Sequence, residues 1–123
     1  MADILVIDDD ESIRCVIRMY LERDGHHIVE AENGLQGVEV LERKSIDLVI
    51  TDILMPEKDG LEMIRILRKQ YPHIRIIAIS AGGRVGSMDY LMMAKGLGAN
   101  QVLSKPFQCG QMAVLVNELL SMN

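Results

Sequence analysis

The sequence predicts an α/β fold, a five-stranded parallel sheet with helices on both faces, and three features of its 123 residues point there. Short apolar runs alternate with amphipathic segments of helical period, giving (βα) five times over. The first, third and fourth runs lack polar–apolar alternation over most of their length, so both of their faces are buried, as in a parallel sheet covered on each side. Hydrophobic residues make up 49% of the chain, enough for a core without disulfides or a structural metal. Right-handed crossovers turn such a pattern into a three-layer sandwich, and five strands are too few for a closed (β/α)8 barrel.

The first strand is Ile4-Leu5-Val6-Ile7, stopped by Asp8-Asp9-Asp10. Ile13, Val16, Ile17, Tyr20 and Leu21 then recur at helical spacing until Gly25 closes the helix. A weaker strand covers 27–31, and Leu35, Val38 and Leu41 mark a short second helix. The third strand runs over 46–51. Beyond Pro56, Asp59 is the expected N-cap of a helix carrying Leu61, Ile64 and Leu67 inward. The fourth strand covers 74–79. Val85, Met88, Leu91 and Met92 form a fourth helix stopped at Gly96 or Gly98. Val102 and Leu103 centre a fifth strand, and Met112, Leu115, Val116, Leu119 and Leu120 line the last helix.

Composition removes several functional classes. The net charge is −5 and no Lys/Arg run exceeds two residues, which argues against binding nucleic acid, whose phosphates need clustered cations. No apolar stretch approaches a membrane span, and the first run is too short and lacks the positive start of a signal peptide, so a cytoplasmic location is expected. Cys15 and Cys109 have no metal-type spacing and read as buried or partly buried free thiols of a reducing compartment. With no linker or low-complexity tract, residues 1–123 read as one domain without an output domain.

In open α/β sheets, ligands bind beyond the carboxyl ends of the strands, where strand order reverses. Those ends carry Asp8-Asp9-Asp10, Thr51-Asp52, Ser80 and Ser104-Lys105-Pro106. The flavodoxin-like order 2-1-3-4-5, borrowed from other doubly wound folds, makes strands 1 and 3 neighbours at the switch point. Their carboxylates then face one crevice, and strands 4 and 5 add a hydroxyl and an ammonium. Crowded carboxylates repel unless a cation neutralises them. Mg²⁺ fits, because it takes one or two carboxylates and leaves room for phosphate oxygens. Phosphoryl transfer needs mainly positioning and charge neutralisation, and a carboxylate can be the nucleophile. Each piece alone has an ordinary structural explanation. The acidic triplet could cap a helix, and Asp52, Ser80 and Lys105 could be loop or surface residues. The coincidence of all four at one sheet edge outweighs these.

Leu5-Val6-Ile7-Asp8-Asp9, Thr51-Asp52-Ile53-Leu54-Met55-Pro56 with Asp59-Gly60, Ala78-Ile79-Ser80-Ala81, and Gly98-Ala99 followed by Lys105-Pro106-Phe107 resemble the response-regulator receiver family of two-component signalling. The resemblance spans essentially the whole chain. It implies that Asp52 accepts a phosphoryl group from a phosphohistidine on a separate sensor kinase or phosphotransfer protein. It implies that Asp9, Asp52 and the backbone carbonyl of Leu54 bind Mg²⁺, with Asp8 acting through a metal-bound water. Lys105 would pair with phosphoryl oxygens, Ser80 would hydrogen-bond the phosphoryl group in the switched state, and the Lys105–Pro106 bond would be cis. The readout would be a conformational change on the face of helix 4, strand 5 and helix 5, read by a downstream protein, or else an onward relay of the phosphoryl group. The chain would be no enzyme beyond its own phosphorylation and slow dephosphorylation.

Two departures from the family pattern matter. Val102 stands where receivers usually carry an aromatic switch residue, and valine has no ring to swing, which puts the usual coupling of Ser80 to the far face of strand 5 in question. Leu54 and Gly82 stand where many receivers carry polar side chains that orient the hydrolytic water, so slow loss of the phosphoryl group is expected. The Gly82-Gly83 and Gly86 cluster is expected to leave the start of helix 4 mobile. His26, His27 and His73 read as surface or loop residues away from the crevice, so no donor histidine is built in. The nine Met residues read mostly as core filler, with Met92-Met93 available to a partner surface. Two other functions compete. One is a receiver-like binding module that never takes phosphate. The other is a haloacid-dehalogenase-type phosphohydrolase with Asp8 as nucleophile, which Asp8-Asp9-Asp10-Glu11-Ser12 also fits.

Overall fold

Five parallel strands form the centre of the computed structural model, which describes residues 2–53, 60–81 and 87–122. The elements are β1 (Asp3–Ile7), α1 (Glu11–Arg23), β2 (His27–Ala31), α2 (Gly34–Arg43), β3 (Leu48–Asp52), α3 (Gly60–Gln70), β4 (Arg75–Ala81), α4 (Ser87–Leu97), β5 (Gln101–Lys105) and α5 (Cys109–Leu120). The sheet order is β2-β1-β3-β4-β5, so β1 and β3 lie side by side at the point where the order reverses. The flavodoxin-like fold and its strand order stand as expected. Observed strand ends differ from the expected ones by one or two residues. The expected Asp59 cap, with Pro56, Val85 and the Gly82-Gly83-Gly86 cluster, lies outside the described residues.

The continuous apolar strands are explained by two separate cores. Leu5, Ile7, Val49, Ile76 and Ala78 turn to one face and pack with Leu41, Ile64, Leu67 and Ala94 from α2, α3 and α4. Ile4, Val6, Leu48, Ile50, Ile77 and Ile79 turn to the other and meet Ile17, Leu21, Met112, Val116 and Leu119 from α1 and α5. Alternate residues along each strand therefore serve opposite cores, and neither face needs a polar residue.

Local capping fixes the strand-to-helix turns. Asp10 is the N-cap of α1, its side chain accepting from the amides of Ser12 and Ile13. Asn33 caps α2 by accepting from the Gln36 amide. At the far end of α1, Gly25 takes φ +90°, a left-handed value that favours glycine.

Some side chains do not point where their spacing suggested. On α1, Val16 and Tyr20 are 46% and 39% exposed, while Arg14 is buried beside Ile17 and Leu21. The Arg23 guanidinium lies 5.5 Å from the centroid of the Tyr20 ring. On α2, Leu35 is 68% exposed, and Gly34 and Gly37 face inward with Leu41. Gly37 approaches so closely that a Cβ there would stand 2.6 Å from Ile7 Cδ1. Cys15 is an exposed free thiol rather than a buried one, because it lies on the outer side of α1. The methionines are also corrected. Met63 and Met112 are core residues, but Met19, Met92, Met93 and Met122 are exposed. An apolar side chain on a helix is buried only if the helix's docking angle brings it over the sheet, and composition does not report that angle.

Candidate functional site

The carboxyl ends of β1, β3, β4 and β5 converge on one crevice. The register aligns Ile7 with Thr51, Thr51 with Ala78, Ser80 with Ser104 and Ala81 with Lys105. Asp8 and Asp9 therefore leave β1 beside Asp52 at the end of β3. Ligand atoms of Asp8, Asp9 and Asp52 all lie within 4.8 Å of one another. Asp8 is fully buried, Asp52 is 4% exposed, and Asp9 is exposed at the mouth.

Lys105 reaches across from β5. Its Nζ donates to Asp8 Oδ2 at 2.9 Å and to Asp52 Oδ2 at 2.8 Å. One ammonium thus bridges two buried carboxylates, and removing one partner of a buried pair of this kind costs about 3–5 kcal/mol. The electrostatics follow from that geometry. Burial, with the Asp52 charge adding to it, pushes the Asp8 carboxyl above the usual carboxylate range, although the Asp10 amide and Lys105 pull the other way. Burial disfavours the charged Lys105 ammonium, but its bonds to Asp52 and Asp8 outweigh this and hold its pKa above the usual lysine value.

Ser80 completes the floor of the crevice. It is fully buried, and its Oγ has no hydrogen-bond partner among the described residues. A buried unpaired hydroxyl costs about 1–3 kcal/mol, so such a group is retained for a reason other than packing. The Lys105–Pro106 peptide is cis, as expected. Val102 is half-buried on β5 and packs against the core beneath α2, α3 and α4. Leu54 and Gly82 lie outside the described residues. His26, His27 and His73 are far from the crevice, at the opposite end of the sheet. His26 is more than a surface residue, since its Nδ1 accepts from the Ala2 amide at 3.2 Å.

Sequence reasoning missed Arg14. Its Nη1 donates to the Asp8 backbone carbonyl at 2.7 Å, and its Nε donates to Glu30 Oε1 at 3.0 Å. A basic residue between Ile13 and Ile17, on the side of the helix that meets the sheet, was the available signal, with Glu30 near the end of β2 as its counter-charge. Burial alone would raise the Glu30 pKa, but hydrogen bonds from Arg18 and Arg14 more than offset it and hold the carboxyl low.

Beside Lys105 opens an apolar groove of about 290 Å³, lined by Ile13, Val16, Ile17, Pro106 and Phe107. Among the described residues, no helix is long and apolar enough to cross a membrane.

Comparison with known proteins identifies the family and the fold. The family model for the response regulator receiver domain matches residues 4–117. The chain is 36% identical over 119 residues to chemotaxis protein CheY of Bacillus subtilis, covering 96% of this chain and 97% of that one. It is 30% identical over 117 residues to sporulation initiation phosphotransferase F of the same species, covering 95% and 92%. The crystal structure of the receiver domain of NtrX from Brucella abortus superposes with a TM-score of 0.92 at 26% identity, covering 98% of this chain and all of that one. In the longer NtrX chain the match spans only 27% of the length.

Proposed function

This chain belongs to the response regulator receiver domain family, and on that premise we propose that it is a phosphoryl-accepting switch that takes its phosphoryl group on Asp52 in the presence of Mg²⁺. One observation carries the proposal. Three carboxylates converge, two of them bonded to one ammonium, beside a buried hydroxyl that bonds to nothing among the described residues. Among the described residues the three acids outnumber the one ammonium that bonds them, and a divalent cation would supply further positive charge. Its ligands in this reading are Asp9, Asp52 and the Leu54 carbonyl, with Asp8 acting through water. When bound, Mg²⁺ would neutralise the acids and attract phosphoryl oxygens.

The chain's own residues do the rest. A carboxylate oxygen of Asp52 attacks the phosphorus of a phosphohistidine on a sensor kinase or phosphotransfer protein. The P–N bond breaks, its electron pair stays on the imidazole nitrogen, and Asp52 carries an acyl phosphate. Lys105 is placed to follow the new oxygens, since it already bonds Asp52. The Ser80 hydroxyl, without a partner among the described residues before transfer, would gain one afterwards, so the phosphorylated state would be favoured by that added contact. The apolar groove beside Lys105 gives a donor protein a surface next to the reacting atoms.

This receiver would signal by contacting a downstream protein in the cytoplasm, and its net charge of −5 disfavours direct binding to nucleic acid by these residues. Leu54 and Gly82 stand in the sequence where many receivers carry polar side chains that orient the hydrolytic water, so slow loss of the phosphoryl group is expected, and decay within seconds would contradict this. Asp8 is a poor rival nucleophile. It is fully buried, with Oδ1 accepting from the Asp10 amide and Oδ2 from Lys105.

The test is incubation with acetyl phosphate and Mg²⁺, followed by intact-mass measurement and peptide mapping. One phosphoryl group on Asp52, absent from Asp52→Asn and suppressed by a chelator, is the expected result. Label on Asp8 would make the protein a phosphohydrolase, and absence of label would make it a binding module.

A further inference from the structure

The acidic nest is held by a residue outside it, and the following rests on reading that nest as a Mg²⁺ site. Asp8 is bonded at every polar atom. Its amide donates to the Ala31 carbonyl at 3.1 Å, its Oδ1 accepts from the Asp10 amide at 2.9 Å, and its Oδ2 accepts from Lys105. Its backbone carbonyl accepts from Arg14 Nη1 at 2.7 Å. That last bond differs from the others, because the Asp8 carbonyl belongs to the peptide joining Asp8 to Asp9. Gripping it fixes the rotation of that peptide plane, and with it the direction in which Asp9 leaves the chain. Asp9 is the exposed member of the triad, so packing does little to place it.

Arg14 is itself braced. Its Nε donates to Glu30 Oε1 at 3.0 Å, and the other Glu30 oxygen accepts from Arg18 Nη1 at 2.8 Å. Glu30 sits on β2 opposite Val6, two residues before Asp8. The guanidinium is thus pinned between α1 and β2 with one N–H aimed at the turn after β1.

We propose that Arg14 is a positioning residue for the divalent cation: by holding the Asp8–Asp9 peptide, braced by Glu30, it sets where Asp9 stands relative to Asp8 and Asp52. Simple electrostatics predicts the opposite effect. A guanidinium near the nest repels a second cation, so removing its charge alone would tighten Mg²⁺ binding. Loss of positioning weakens it. The sign of the change separates the two.

Mg²⁺ is titrated calorimetrically into the whole chain as wild type, Arg14→Ala, Arg14→Lys, Glu30→Ala and Arg18→Ala, each checked for folding by circular dichroism. Arg14→Ala is expected to bind Mg²⁺ about tenfold more weakly, the lower end of the effect of residues that orient metal ligands. Arg14→Lys recovers part of the affinity, because an ammonium can reach the Asp8 carbonyl without holding Glu30 as well. Arg18→Ala removes a like charge from the same glutamate without touching Asp8, and leaves affinity unchanged. If Arg14→Ala does not fold, weakened binding in both Arg14→Lys and Glu30→Ala carries the proposal. Affinity equal to or tighter than wild type in the folded Arg14 variants overturns it. Wild type that binds no Mg²⁺ overturns the reading of the nest itself, a failure distinct from the first.

Discussion

At the amino end of the sheet, a depression of about 540 Å³ is lined by His26, Asp47, His73, Arg75 and Asn117, whereas the groove beside the acidic nest at the carboxyl end measures about 290 Å³. By size and by number of polar residues, the amino end looks the better site. Several of its polar groups, however, are spent on the fold. Asp47 Oδ2 accepts from the Asp3 amide at 2.8 Å, and His26 accepts from Ala2. Arg75 donates to the carbonyls of Leu119 and Met122 at the end of α5. At the carboxyl end, Asp8 and Asp52 share one ammonium with Asp9 beside them, and the Ser80 hydroxyl has no partner among the described residues. What marks a site here is polar capacity left unspent by folding, not the volume of the cavity.

Substituting the cation at each end gives the sharpest test of that contrast. In saturating Mg²⁺, Lys105→Ala is expected to slow phosphoryl incorporation from acetyl phosphate on the order of 10²-fold, the loss typical of a group aimed at developing charge. Arg75→Ala should leave that rate unchanged and cost about 1 kcal/mol in urea unfolding, as for ordinary hydrogen bonds. Equal rates for the two variants would erase the distinction. Mg²⁺ itself is the next largest effect. At a hundredfold excess over its dissociation constant it should stabilise the wild type by about 2.7 kcal/mol, and an Asp9→Asn/Asp52→Asn double variant much less.

Smaller effects test the same idea through stability alone. Ser80→Ala removes a buried hydroxyl that has no partner among the described residues and should raise stability by about 1 kcal/mol, while Asp47→Ala removes an employed carboxylate and should lower it by about as much. Destabilisation by Ser80→Ala would mean that the hydroxyl is satisfied in solution. The smallest effect is a pH dependence. Arg18 and Arg14 overcome the effect of burial and hold the Glu30 pKa below its unfolded value. Its contribution to stability is therefore full above the unfolded pKa and disappears as pH falls through the folded one. Denaturation in Glu30→Gln should be flatter across that acid window than in wild type, and parallel curves would show the pairing to be worthless.

Much of this molecule was legible before folding. The five apolar runs, the helical periods between them, and the acids, hydroxyl and ammonium at their ends are local patterns, and hydrophobic burial of strand faces leaves them few other arrangements. That is why Asp8, Asp9, Asp52, Ser80 and Lys105 could be named as one group from the sequence. Only the tertiary structure decided which arc of each helix faces the sheet, because docking angle and neighbouring helices set that arc. It therefore turned Arg14 inward and left Val16, Leu35 and Cys15 outside. It also decided which polar groups found partners. Pairing of that kind joins residues distant in sequence, as between Lys105 and Asp8, and no local pattern encodes it.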